Sequence, residues 1–151
     1  MKREGFSFGK LIMLLLPLAW MGIIFYFSHQ PAEQSAELSN GLVSKLIEIF
    51  HLPFTDHFVR KSAHFSEYAL LGILTVNAMR LFFSKNSLWI ALAVCSFYSV
   101  TDEFHQLFIP GRSCQFSDML LDTAGSAVGI FLWWLIFYNL KNKKQLQSGE
   151  F

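Results

Sequence analysis

The sequence predicts an all-α, polytopic membrane protein: a bundle of four transmembrane helices, with an amphipathic helix or lid in the outer connection between the first two. Three observations carry this fold class. The 151 residues are 53% hydrophobic and 17% aromatic but only 15% charged, whereas a soluble domain carries about a quarter charged residues. Four apolar stretches, at about 6–27, 63–83, 88–108 and 119–138, approach the roughly 20 residues needed to cross a hydrocarbon core. The remaining polar residues are clustered rather than dispersed. The composition argues against a disordered tail, a collagen-like fibre, a disulfide scaffold and a soluble enzyme. A net charge of +1, from 12 Lys+Arg against 11 Asp+Glu, argues against a nucleic-acid partner. The whole of 1–151 reads as one domain.

In the first stretch, Lys2, Arg3 and Lys10 precede an apolar run in the manner of a signal peptide. The run is long, however, ends in the aromatic FYFSHQ and has no small-residue cleavage site after it, so it is expected to remain as an uncleaved span. Inside a bilayer each backbone polar group needs an internal partner, which makes every span a helix. Pro17 is tolerable there but is expected to bend the first one.

The connection that follows is polar and holds Pro31 and Pro53, so it does not cross. Within it Leu38, Leu42, Val43, Leu46, Ile47, Ile49 and Phe50 approximate a helical apolar stripe, interrupted near its start by Asn40-Gly41. This predicts an amphipathic helix on the outer membrane surface or a lid over the bundle. His51 and His57, in the same connection, read as surface residues. The two later connections are short, so their helices should pack antiparallel. With the amino terminus inside, Lys2, Arg3, Lys10, Arg80, Lys85, Lys141, Lys143 and Lys144 fall on the inner side, and Lys45, Arg60, Lys61 and Arg112 on the outer side. Eight against four places both termini in the cytoplasm. Trp133 and Trp134 then fit an inner aromatic belt, and the basic tail an inner anchor.

Ionisable residues in or beside spans are the informative ones, because a charge in hydrocarbon is costly unless paired, hydrated or functional. HFVRKSAHFSEYALLG opens the second helix with Arg60, His64 and Glu67 on one face, beside Lys61 and Tyr68. SVTDEFHQLFIPGR closes the third, where Asp102, His105 and Gln106 share a face, Glu103 points about 100° away and Arg112 follows. FSDMLLDTAGSAVG opens the fourth with Asp118, Asp122, Gly125, Ser126 and Gly129 along one stripe, small residues that let a partner helix approach closely. Asp118 is also placed to cap that helix. Ser28, His29 and Gln30 leave the first helix on the same side. Polar chemistry thus gathers near the outer headgroup region.

An acid-rich set with imidazoles could hold a divalent cation, and nearby arginines could grip a phosphate. The combination suits phosphate-ester or pyrophosphate chemistry on a lipid headgroup. The same residues could instead satisfy one another as a structural network.

At FSHQPAEQS, KSAHFSEYALLG, TDEFHQLFIPGR and FSDMLLDTAGSAVG, over about 20–138, the chain resembles the VanZ-like family of small bacterial membrane proteins. The resemblance implies residence in the bacterial cytoplasmic membrane and an association with resistance to glycopeptides of the teicoplanin type. It marks Gln30, Lys61, His64, Glu67, Asp102, Glu103, His105, Gln106, Arg112, Asp118 and Asp122 as motif residues. The expectation that follows is a pocket at the outer leaflet for an anionic envelope lipid or cell-wall precursor. His64, Glu67, Asp102, Glu103, His105 and Asp122 are its candidate acid–base groups or metal ligands, and Gln30, Arg60, Lys61, Gln106, Arg112 and Asp118 its candidate binding groups. The alternative is a non-enzymatic accessory protein whose charged network is structural.

Overall fold

The computed structural model describes residues 7–50, 55–83 and 85–148. Lys2, Arg3 and His51 lie outside them, as do the side chains of the basic tail and most of the apolar stripe from Leu38 to Phe50. The described residues are all-helical: α1 (Phe8–Ser28), α2 (Ala32–Phe50), α3 (Asp56–Met79), α4 (Ser87–Gln106) and α5 (Phe116–Ser148). Two of the five, α1 and the Phe116–Asn139 part of α5, are long and apolar enough to cross a membrane. The other two predicted spans carry the site's charged residues, which lowers their apolar character below that of a plain spanning helix.

Helix ends depart from the apolar runs for the same reason. α3 starts at Asp56, close to the His57 at which the segment HFVRKSAHFSEYALLG opens and seven residues ahead of the apolar run from about 63; it is capped by the Thr55 hydroxyl, which accepts from the Phe58 amide at 3.2 Å. Its first two turns are polar, so hydropathy does not register them. α5 continues past 138 to Ser148 through a polar tail with good helix formers. α2 runs unbroken through Asn40-Gly41; one glycine costs about 1 kcal/mol in a helix, which a 19-residue element can absorb.

α3 lies at the centre and packs on α5, α4, α1 and α2. Its contact with α5 is made through glycine. A Cβ at Gly72 would sit 2.5 Å from the Ser126 carbonyl oxygen, and Cβ atoms at Gly125 and Gly129 would collide with the carbonyls of Phe65 and Ala69. The two backbones therefore touch, as the small-residue stripe predicts. α1 is tied on by hydrogen bonds from Trp20 Nε1 to the Glu67 carbonyl (2.9 Å) and from the Tyr98 hydroxyl to the Met21 carbonyl (2.6 Å). Apolar packing fills in around these, with Ile24, Tyr68, Leu71 and Cys95 in one cluster and Val76, Ala91 and Ile130 in another.

The exterior is apolar, and the interior mixes apolar and polar side chains. Phe8, Leu18, Trp89, Phe97, Phe108 and Phe131 are among the exposed large apolar side chains, while Ser28, Ser99, Asp102, Glu103, Asp122 and Ser126 are fully buried. An apolar exterior over buried polar groups is the arrangement that lipid selects. The two ends also differ. At one, α1 and α4 finish while α3 and α5 begin, bringing the acids, imidazoles and basic residues together. At the other, Trp133 Nε1 donates to Asn77 Oδ1 (3.0 Å), Trp133 stacks on Phe137, and the Arg80 guanidinium lies over both rings, 4.7 and 3.8 Å from their centroids.

Candidate functional site

A cleft of about 120 Å3 opens at the polar end, lined by Arg60, Lys61, His64, Gln106, Arg112 and Asp118 together with His57, Gly111, Ser113 and Gln115. That is far smaller than the several hundred Å3 of a drug-sized pocket and suits a small ionic group. Three of the lining residues are permanent cations.

α3 supplies Arg60 and Lys61 from its second turn and His64 from its third. Lys61 Nζ reaches Asp118 Oδ1 at 2.5 Å, with both side chains partly exposed. The Asp118 carboxylate also accepts from Ser117 Oγ at 3.2 Å. Asp118 thus pins α5 to α3 from the first turn of α5, rather than closing that helix's amide end. Among the described residues Arg60 has no ion-pair partner.

The loop between α4 and α5 supplies Arg112. Its Nε donates to the Gln30 carbonyl (2.8 Å) and an Nη to the Phe27 carbonyl (3.2 Å), which also accepts from the Gln30 amide at 3.3 Å, so it ties the loop to the end of α1. Burial, and then the neighbouring Arg60, push the Arg112 guanidinium below the ordinary arginine value. It remains charged, in a setting that favours an anion. Gly111 makes this loop possible: its φ of 75° is a left-handed conformation natural to glycine, and a Cβ there would meet Ala32 Cβ at 3.0 Å. The Ala32 amide donates to the Pro110 carbonyl (3.2 Å), docking the start of α2 on the same loop. Gly111→Val is expected to lose about 2 kcal/mol of stability and to displace Arg112, read as lower thermal stability and faster proteolysis at 107–115.

Beneath the cleft lies a buried network. Asp102 is 2% exposed and its Oδ2 accepts from Ser28 Oγ at 3.0 Å and, more distantly, from the Tyr68 hydroxyl at 3.5 Å. Gln106 Nε2 donates to the same Ser28 oxygen at 2.8 Å. Asp122 is fully buried, with Oδ2 accepting from Ser99 Oγ at 3.3 Å and Oδ1 lying 3.9 Å from His64 Nδ1. Glu103, next to Asp102 in sequence, turns to the loop, where Oε2 accepts from the Gln115 amide at 2.9 Å.

The structure therefore gathers His64, Asp102, Asp122 and Gln106 at the floor, and Arg60, Lys61, Arg112 and Asp118 around the rim. His105 and Glu67 do not line the cleft, but both lie close enough to interact electrostatically with Asp102, and Glu67 with Arg112 as well. His105 Nε2 is 3.1 Å from His29 Nδ1 and stacks with His29 and Phe25 on the α1 side. Glu67 lies a turn below His64, outside the cleft lining, and its carbonyl takes the Trp20 bond. Gln30 contributes its carbonyl rather than a side-chain contact. Three participants are not evident in the sequence reading. His57 lines the cleft, Ser99 orients Asp122, and Gln115 anchors Glu103. Ser99 sits three residues before Asp102, so helical spacing was the available signal.

Residues 13–138 match the protein family described as VanZ/LLP1, which covers most of the chain. No curated protein and no solved structure gives a significant match. The chain belongs to the VanZ/LLP1 family, and membership suggests a membrane protein linked to glycopeptide resistance.

Proposed function

We propose that this VanZ/LLP1-family protein spans the bacterial cytoplasmic membrane four times, through α1, α3, α4 and α5, with both termini in the cytoplasm. α2 lies along the outer surface. The cleft then opens at the outer leaflet, where it binds the phosphate-bearing headgroup of an anionic envelope lipid or cell-wall precursor and so lowers susceptibility to teicoplanin-type glycopeptides. The observation that carries this reading is the rim: Arg60, Lys61 and Arg112 converge on a small cleft, and only Lys61 is ion-paired among the described residues. Arginine suits the role because its planar fork matches phosphate oxygens two at a time. The eight-to-four bias of Lys and Arg supports the orientation, and the exposed apolar surface of α4 supports its insertion.

Arg60→Gln is expected to weaken binding of a short-chain phosphatidylglycerol to the purified protein at least tenfold, with little change in binding of the phosphatidylcholine analogue. Cells expressing it should become more susceptible to teicoplanin than those expressing the wild type. Calorimetric titration and drug susceptibility at matched expression read the two effects; wild-type behaviour in both would end the proposal.

A second reading is a non-enzymatic accessory protein whose charges are structural. The Lys61–Asp118 pair and the Glu103–Gln115 bond favour it, since both use candidate site residues to join elements. It predicts that Arg60→Gln changes neither measurement.

A further inference from the structure

We propose that His64, Asp102 and Asp122 bind one divalent cation of the Zn2+ class in the floor of the cleft. This goes beyond the headgroup reading and does not rest on it. The three residues come from three helices, and each offers one ligand atom within 4.8 Å of the other two. An equilateral triangle with that edge has its centre about 2.8 Å from each corner, so shifts of under about 1 Å reach the 2.0–2.2 Å of Zn–N and Zn–O bonds.

A second observation comes from hydrogen bonding. His64 Nδ1, Asp102 Oδ1 and Asp122 Oδ1 are all buried and have no hydrogen-bond partner. The two aspartates are 2% and 0% exposed. The 3.9 Å between His64 Nδ1 and Asp122 Oδ1 is too long for a hydrogen bond and close to the spacing of two ligands on one ion. Orphan buried atoms are uncommon in native interiors, and these three belong to the same three residues whose ligand atoms cluster within 4.8 Å.

The surroundings match a metal centre as well. The other oxygen of each aspartate accepts from a serine hydroxyl, Ser28 for Asp102 and Ser99 for Asp122. These donors orient the carboxylates without neutralising them, as outer-shell groups do around metals. Lysine is not at hand, because Lys61 is committed to Asp118, and the bonded nitrogens of Arg112 face the carbonyls of α1. A divalent ion would balance two buried carboxylates. One imidazole with two carboxylates and no thiolate selects Zn2+ or a neighbouring transition ion over Ca2+ and Mg2+. Three protein ligands leave a position open toward the cleft that His64 lines.

The test uses the full chain in detergent, stripped with a chelator and titrated with Co2+, then with Zn2+ as competitor. One cobalt per chain, with an intense visible ligand-field band that Zn2+ abolishes, is expected. Asp122→Asn and His64→Gln should each weaken binding more than a hundredfold, and Ser99→Ala about tenfold. Arg60→Gln removes a positive charge near His64 and should bind the metal at least as tightly as the wild type does, so loss of the anion site and loss of the metal site are distinguishable. Absence of the band and of stoichiometric metal in the wild type would overturn the proposal, whether or not the variants fold. So would wild-type affinity in folded Asp122→Asn or His64→Gln.

Discussion

Gly129→Leu is expected to abolish the folded protein, leaving no monodisperse species after extraction. The cause is local and steric. A Cβ at position 129 already collides with the main chain of Ala69, and one at Gly125 with that of Phe65. Backbone cannot rotate aside as a side chain can, so α5 must lift off α3. The separation would also pull apart the Ser126 hydroxyl and the Tyr68 carbonyl (3.2 Å) and move Asp122 away from His64. Even Gly129→Ala should cost about 1–3 kcal/mol, the usual range for overpacking. Gly22→Ala in α1 provides the contrast, because nothing lies within 4 Å of its added Cβ and alanine is the better helix former by about 1 kcal/mol. Thermal unfolding in detergent, followed by size-exclusion chromatography, should leave Gly22→Ala at or above the wild type. A wild-type profile for Gly129→Leu would refute the backbone contact.

Arg112→Ala should lose stability and headgroup binding together. Removing the guanidinium deletes its bonds to the carbonyls of Gln30 and Phe27 at the end of α1, of which Phe27 keeps the Gln30 amide at 3.3 Å, and deletes a rim cation. For a half-exposed charged donor the two bonds contribute about 2 kcal/mol in total. Binding of phosphatidylglycerol should fall at least tenfold. Arg112→Lys separates the two roles: it keeps the charge but cannot reach both carbonyls, so it should retain more binding than Arg112→Ala while recovering little stability. If Arg112→Ala unfolds and binds as the wild type does, Arg112 has neither role.

How much of this was legible in the sequence depended on the kind of interaction. Helicity and the glycine seam were legible because they follow from composition and from a four-residue spacing that needs no partner to be known. The gathering of acids and bases at one end was legible from alternating helix direction. Pairings were not. Nothing local distinguishes an Arg112 that grips main-chain oxygens from one that faces solvent, since the carbonyls of Phe27 and Gln30 carry no sequence signature. His105 shares a helix face with Asp102, yet the adjoining surface of α1 offers it His29 and Phe25. Lys61 and Asp118 each read as a separate candidate for ligand binding until their distance was known. The polar opening of α3 was legible from its helical spacing of Arg60, His64 and Glu67 rather than from hydropathy, which registers only the apolar run from about 63, and Thr55, three residues before Phe58, is a recognisable capping position.

The floor of the cleft also bears on how the chain is made. Its acids are divided between α4 and α5, its imidazole is on α3, and the serine that holds Asp102 is the last residue of α1. Synthesis delivers these in the order Ser28, His64, Asp102, Asp122, so in the four-span arrangement proposed above Asp102 reaches the bilayer before its neighbour on α5. Until α5 arrives, α3 lacks its glycine seat and the Arg112 latch has only just left the ribosome. Assembly of the site is therefore the closing event of biogenesis, and a chain truncated before residue 116 would present a half-built polar face to lipid. Quality-control proteases that survey the bilayer for exposed charge would have a clear mark by which to recognise such a fragment.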